Sequence, residues 1–127
     1  MKKIILAVLS LLIFSFSACT KADTFTPISP EDAVKLLEKD SRAVLIDVRT
    51  PEENKAIRIP DSILIPDYEI KEKIGEVVPD KNTTVIIYCR SGNRSAKAAK
   101  NLVEMGYTKV FDLGGIIDWP YETEGEG

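Results

Sequence analysis

Apolar residues along this chain recur with two periods, and the switches between them mark out its elements. Residues 43–48, "AVLIDV", apolar but for Asp47, and 85–88, "VIIY", are apolar runs rich in β-branched side chains. Each is too short for a helix and predicts a strand covered on both faces. "FTPIS" (25–29), "SILIP" (62–66) and "KVFDL" (109–113) are briefer runs of the same kind. Helical spacing appears between them. Ala33, Val34, Leu36 and Leu37 follow Ser29, Pro30, Glu31 and Asp32, which supply a cap, a first-turn proline and first-turn acids. Thr50, Pro51, Glu52 and Glu53 open a second, shorter helix in the same way. Residues 70–78 predict a charged helix broken at Gly75. From Ser95 onward, Ala96, Ala98, Ala99, Leu102, Val103 and Met105 predict a last helix that stops at Gly106.

Strands alternating with helices predict an α/β domain around a mainly parallel sheet with right-handed crossovers. In such sheets ligands sit beyond the carboxyl ends of the strands. Asp47, Arg49 and Cys89 all fall at such ends.

The first residues follow a different pattern. Lys2 and Lys3 precede an apolar stretch from Ile4 to Ser17, and the small residues Ser17 and Ala18 then lead to Cys19. This is the order of an export signal with a processing site. "FSAC" resembles the lipobox of bacterial lipoproteins, with Phe16 where leucine is commonest and Cys19 as the acylated first residue. The expected division is a signal peptide over 1–18, a lipid-attached tether over 19–24, one domain over 25–122 and a flexible tail over 123–127. Loss of 1–18, which holds two lysines and no acid, would take the formal charge from −3 to −5.

Composition narrows the chemistry. The mild acidity argues against a broad nucleic-acid surface, so any positive site must be local. The chain has no histidine, which excludes Ser-His-Asp and Cys-His catalysis and every histidine-held metal; no metal or cofactor is expected. With Cys19 acylated, Cys89 is the one remaining thiol, and a disulfide within the chain is impossible.

Cys89 closes an apolar strand and opens the polar loop Arg90, Ser91, Gly92, Asn93, Arg94, Ser95 before a helix. The thiolate is the reactive form of cysteine, and four features here favour an anion. Gly92 lets the backbone curl so that successive N–H groups can point inward. The helix N-terminus adds a partial positive charge. Arg90 and Arg94 add full ones, and Ser91 and Ser95 add hydroxyl donors. A disulfide oxidoreductase is a poor fit, since there is no second thiol to resolve a mixed disulfide.

"LIDVRTPEE" (45–53), "IIYCRSGNRSAKAA" (86–99) and "GGIIDWP" (114–120) resemble, in this order, the single-domain rhodaneses of the sulfurtransferase family. The likeness spans roughly residues 24–122. It implies a five-stranded, mostly parallel sheet flanked by helices. It also implies that Cys89 accepts a sulfane sulfur from a small anion such as thiosulfate and passes it to cyanide, a thiol or a protein acceptor. Residues Arg90 to Ser95 would cradle the sulfur, with Asp47 and Arg49 as structural support. Related phosphatases place five residues between the cysteine and its arginine; here four separate Cys89 from Arg94, which resembles the sulfur-transferring branch. Where the family commonly reads "GHIPGA", this chain has "IRIPDS" at 57–62, with Arg58 in place of histidine. Trp119 is expected as a core anchor, and Glu52, Glu53 and "YETEGEG" as solvated charge. The rival to an enzyme is a carrier that hands persulfide to one partner protein without turnover.

Overall fold

A computed structural model describes residues 24–127; the expected signal peptide, Cys19 and nearly all of the tether lie outside the described residues. Five strands form one sheet: β1 (Thr26–Pro27), β2 (Val44–Asp47), β3 (Ile63–Leu64), β4 (Thr84–Cys89) and β5 (Lys109–Gly115). Their order is β1-β5-β4-β2-β3, and every pairing between them is parallel. The helices are α1 (Pro30–Lys39), α2 (Pro51–Ala56), α3 (Ile70–Val77) and α4 (Asn93–Glu104), and a 3-10 turn covers Ile116–Asp118. The five-stranded parallel sheet flanked by helices is the α/β arrangement that the alternation of elements predicts.

The caps read from sequence form. Ser29 accepts the Asp32 N–H at 3.1 Å, and Thr50 and Glu53 make a reciprocal capping box around the start of α2. Gly75 does not break α3. Ile70 and Ile74, one turn apart, are both buried and hold the helix to the core, while a Cβ at Gly75 would meet nothing within 4 Å. Packing outweighs the cost of about 1 kcal/mol that glycine carries in a helix.

Strand alternation divides the core between the two faces of the sheet. Val85, Ile87 and Cys89 join the cluster with Ile70, Ile74, Ala98, Ala99 and Leu102 of α3 and α4. Ile86 and Tyr88 join the other, with Ala33 of α1, Ile59, Leu113 and Ile116. Cys89 therefore faces α4, and Tyr88 faces the "IRIPDS" segment. There Ser62 N–H closes a turn on Ile59 O at 3.2 Å, and Asp61 holds the positive φ of 64° that glycine more often takes. Tyr88 Oη accepts the Ile59 N–H at 3.1 Å and lies 2.9 Å from Ser62 Oγ. The segment is thus tied to the strand that carries the cysteine.

β2 pairs with β3 on one side and β4 on the other, so the direction of winding reverses between β2 and β4. That reversal opens a crevice at the carboxyl ends of the two strands. Asp47 ends β2 and Cys89 ends β4. A bulge then shapes the last strand. Ile87 aligns with Asp112 but Tyr88 with Gly114, leaving Leu113 as the extra residue. Gly114 adopts φ 84° there, its N–H donated to Asp112 Oδ1 at 2.9 Å. The end of β5 is re-aimed toward the cysteine loop.

The C-terminal segment 123–127, expected as a tail, lies against the end of α2 and the residues after it. Arg58 and Glu124 exchange both backbone hydrogen bonds, at 2.8 and 2.9 Å, in an isolated antiparallel bridge. Their side chains pair at 3.1 Å. The N–H groups of Glu126 and Gly127 reach Lys55 O and Ala56 O, at 2.9 and 3.0 Å. These carbonyls at the end of α2 lack partners within the helix, and the tail supplies them. Trp119 is only partly buried. Its Nε1 donates to Glu122 O at 3.1 Å and its ring stands edge-on to Tyr121 with centroids 5.0 Å apart, which turns the chain back toward α2.

Candidate active site

Cys89 is 1% exposed and sits where β4 hands over to α4. Its Sγ accepts the Gly92 N–H at 3.0 Å and lies 3.4 Å from Ser95 Oγ, to which the thiol donates. Ser95 is fully buried and donates in turn to Gly92 O at 3.1 Å. Gly92 precedes the helix in a left-handed conformation, φ 109°, which lets its amide turn back onto the sulfur. α4 begins at Asn93, earlier than helical spacing alone suggests, so its positive end lies directly on the loop. One backbone N–H and the N-terminal end of α4 thus face Sγ.

The loop is packed from below by β5. A Cβ on Gly115 would stand 2.2 Å from Arg90 O and 2.7 Å from Ser91 Cα, distances no side chain can occupy. Ile117 N–H adds a bond to Arg90 O at 3.3 Å. The sequence "GGIID" therefore serves as a floor for the cysteine loop. The glycine pair was visible, but which loop it touches was not.

The arginines divide by partner. Arg49 and Asp47 are 2% and 0% exposed. Asp47 Oδ1 accepts the Arg49 backbone N–H and Nε at 2.9 and 3.0 Å, and Oδ2 accepts Arg49 Nη2 at 2.8 Å and Asn54 Nδ2 at 3.0 Å. Arg49 Nη2 also reaches Ile57 O at 2.5 Å, and its guanidinium lies over the Tyr88 ring, 5.5 Å from the centroid. Burial works against its charge, but Asp47 more than offsets this and raises the Arg49 pKa. Both groups act as a buried clamp between β2 and α2.

Arg94, expected with its loop to cradle the sulfur, pairs through its side chain with Glu53, which sequence alone assigns to solvent. Nη1 and Nη2 donate to Oε1 and Oε2 at 2.7 and 2.9 Å. The Arg94 hydrogen bonds hold the Glu53 carboxyl down to about 2. The capping-box spacing from Thr50 to Glu53 marked the helix start, but no local signal joins Glu53 to a residue 41 positions away. Arg90, Ser91 and Asn93 are exposed, and among the described residues Arg90 has no ion-pair partner.

Beside the loop is a cavity of about 480 Å³ lined by Arg49, Glu53, Ala56, Ile57, Arg90, Ile116 and Ile117. Its apolar members were not singled out in the sequence, where Ile57 and Ile117 read as ordinary flanks of turns. Among the described residues no three histidine, cysteine or acidic side chains converge as a metal site would require.

Residues 29–121 match the Rhodanese-like domain family. Thiosulfate sulfurtransferase PspE of Escherichia coli is 48% identical over 73 residues, covering 58% of this chain and 70% of that protein. A sulfurtransferase of Allochromatium vinosum is 39% identical over 93 residues, 72% of this chain and 85% of its own. Among solved structures, a rhodanese with anions from E. coli superimposes with TM-score 0.63 at 42% identity, covering 66% of this chain and 99% of that one.

Proposed function

The chain belongs to the rhodanese-like family, and on that footing we propose that it moves a sulfane sulfur from thiosulfate to a thiophilic acceptor through a Cys89 persulfide. It is an enzyme of the thiosulfate sulfurtransferase type. The observation that carries the persulfide reading is the Gly92 N–H on Cys89 Sγ at 3.0 Å, at the start of α4 and beside Arg90, which has no ion-pair partner among the described residues. The Cys89 thiolate attacks the outer sulfur of thiosulfate. A new S–S bond forms, the old one breaks, and sulfite leaves with the electron pair. Arg90 meets the donor's charge, and the loop amides meet the charge of the terminal sulfur. When the thiol loses its proton, the Ser95 hydroxyl is free to turn from Gly92 O toward Sγ. A nucleophile then takes the sulfur in a second half-reaction.

Intact-mass measurement after thiosulfate exposure should show the gain of one sulfur atom, lost again on adding cyanide with release of thiocyanate. Cys89→Ser should show neither, because no histidine is present to activate a hydroxyl. Persulfide formation without turnover would make the protein a carrier. Turnover by Cys89→Ser would sink the mechanism.

The lysines and apolar run before "FSAC" support export and attachment to the cell envelope through lipid on Cys19. The membrane-fraction protein should then begin at a lipid-bearing Cys19, and a soluble form starting elsewhere would refute this.

A further inference from the structure

The cavity beside the cysteine loop is built for more than a small inorganic anion. Ala56 and Ile57 form one wall, and Ile116 and Ile117 the other. Ile57 is 44% and Ile117 63% exposed, so two large aliphatic side chains meet solvent beside Arg90, the first residue after Cys89. Neither thiosulfate nor cyanide has an apolar body to cover them. The volume, about 480 Å³, falls in the range of organic-ligand sites.

Three charged residues reach this cavity, and two are neutralised from behind. Arg49 is held by Asp47, and Glu53 by Arg94. Of these three, only Arg90 has no ion-pair partner among the described residues. The walls are fixed before any ligand arrives. Ile57 is tied through its N–H to Glu53 O and through its carbonyl to Arg49, and Ile117 N–H is tied to Arg90 O. Pre-set walls lessen the ordering cost of binding.

Building on the sulfurtransferase reading, we propose that this cavity is the acceptor site and that it takes a small organic thiol with a branched or aromatic body and one carboxylate. The body covers Ile57 and Ile117, and the carboxylate meets Arg90. A two-step reaction allows this double use of Arg90, because sulfite departs before the acceptor enters. In the step itself the acceptor thiolate attacks the outer sulfur of the Cys89 persulfide. The S–S bond to Cys89 breaks, Cys89 leaves as a thiolate with the electron pair, and the acceptor departs as an organic persulfide.

The test starts from full-length protein loaded with thiosulfate and freed of excess donor. Loss of persulfide is followed with para-(mercaptomethyl)benzoate, its uncharged amide and mercaptoethanol, at matched thiolate concentration. The benzoate should react at least about tenfold faster than mercaptoethanol and show saturation, with the amide between them. Ile117→Ser should lower the benzoate-to-mercaptoethanol ratio by about fivefold, and Arg90→Gln should abolish the preference of acid over amide. Equal rates with no saturation would overturn the acceptor site while leaving sulfur transfer standing. Failure of the protein to load with sulfur would instead overturn the reading beneath it.

Discussion

Arg94 donates from both terminal nitrogens to the Glu53 carboxylate, at 2.7 and 2.9 Å, and so joins the first turn of α4 to the middle of α2. Glu53 Oε1 also accepts from the Thr50 N–H and hydroxyl, at 3.3 and 3.2 Å. Thr50 follows Arg49, whose partner Asp47 ends β2. A continuous polar chain therefore runs from the cysteine loop to the neighbouring strand, and the charge of Arg94 is largely balanced within the protein. Arg90, by contrast, has no ion-pair partner among the described residues.

The Glu53 carboxyl should couple this pair to pH. Its folded value, about 2, lies below the ordinary 4.5, chiefly through the Arg94 hydrogen bonds. Stability from this group is therefore fully present above about pH 4.5 and is lost as pH falls toward 2. With the carboxylate about a quarter exposed, a contribution of about 1–2 kcal/mol is expected. Denaturant unfolding of wild type and Glu53→Gln should differ by this amount at pH 7 and converge near pH 2. A difference that persists at low pH would show that the pair acts through packing alone.

Arg90 and Arg94 should separate kinetically. Arg90→Ala removes the exposed charge proposed to meet the donor, so KM for thiosulfate should rise about tenfold or more with little change in kcat. Arg94→Ala leaves Glu53 without its partner and loosens the start of α4, so kcat should fall and the midpoint of unfolding with it. Steady-state kinetics on both variants decides the matter. Identical profiles would mean that the two arginines share one role.

Gly115→Ala should disable the site without changing any residue of the cysteine loop. The added methyl would lie 2.2 Å from Arg90 O, so the cysteine loop must move away from β5. A displacement of about 1 Å can cost about a hundredfold in rate. Persulfide formation from thiosulfate should slow by that order while circular dichroism stays native. An unchanged rate would show that the floor yields instead of the loop.

The C-terminal strap can be tested by amide hydrogen exchange. Gly125 has φ 146°, and a Cβ there would stand 2.3 Å from Ala56 O. Gly125→Val should therefore detach the strap and remove protection from the Glu124, Glu126 and Gly127 amides, which bond to Arg58, Lys55 and Ala56. Reversing Arg58 to Glu or Glu124 to Lys should weaken protection modestly, since an exposed pair contributes about 0.2–1 kcal/mol, and reversing both should restore it. Protection kept in Gly125→Val would argue against the close approach.

Much of this protein is decided locally and is legible in its sequence. The apolar runs of β2 and β4, the caps at Ser29 and Thr50 and the order strand, Cys89, polar loop, helix each depend on residues a few positions apart. Backbone periodicity and capping act over that range, so the α/β fold and the cysteine loop could be read directly. The remaining features arise where distant segments meet. Gly75 stays helical because Ile70 and Ile74 are anchored in the core, against the local preference of glycine. Glu53 looks solvated until β4 and α4 bring Arg94 to it across 41 residues. Arg58 and the acidic tail find each other only because the turn at Trp119 lays Glu124 alongside it. Charge pairing across a fold carries no periodic signature in the chain; the placement of strands and helices decided which carboxylates Arg49, Arg58 and Arg94 meet.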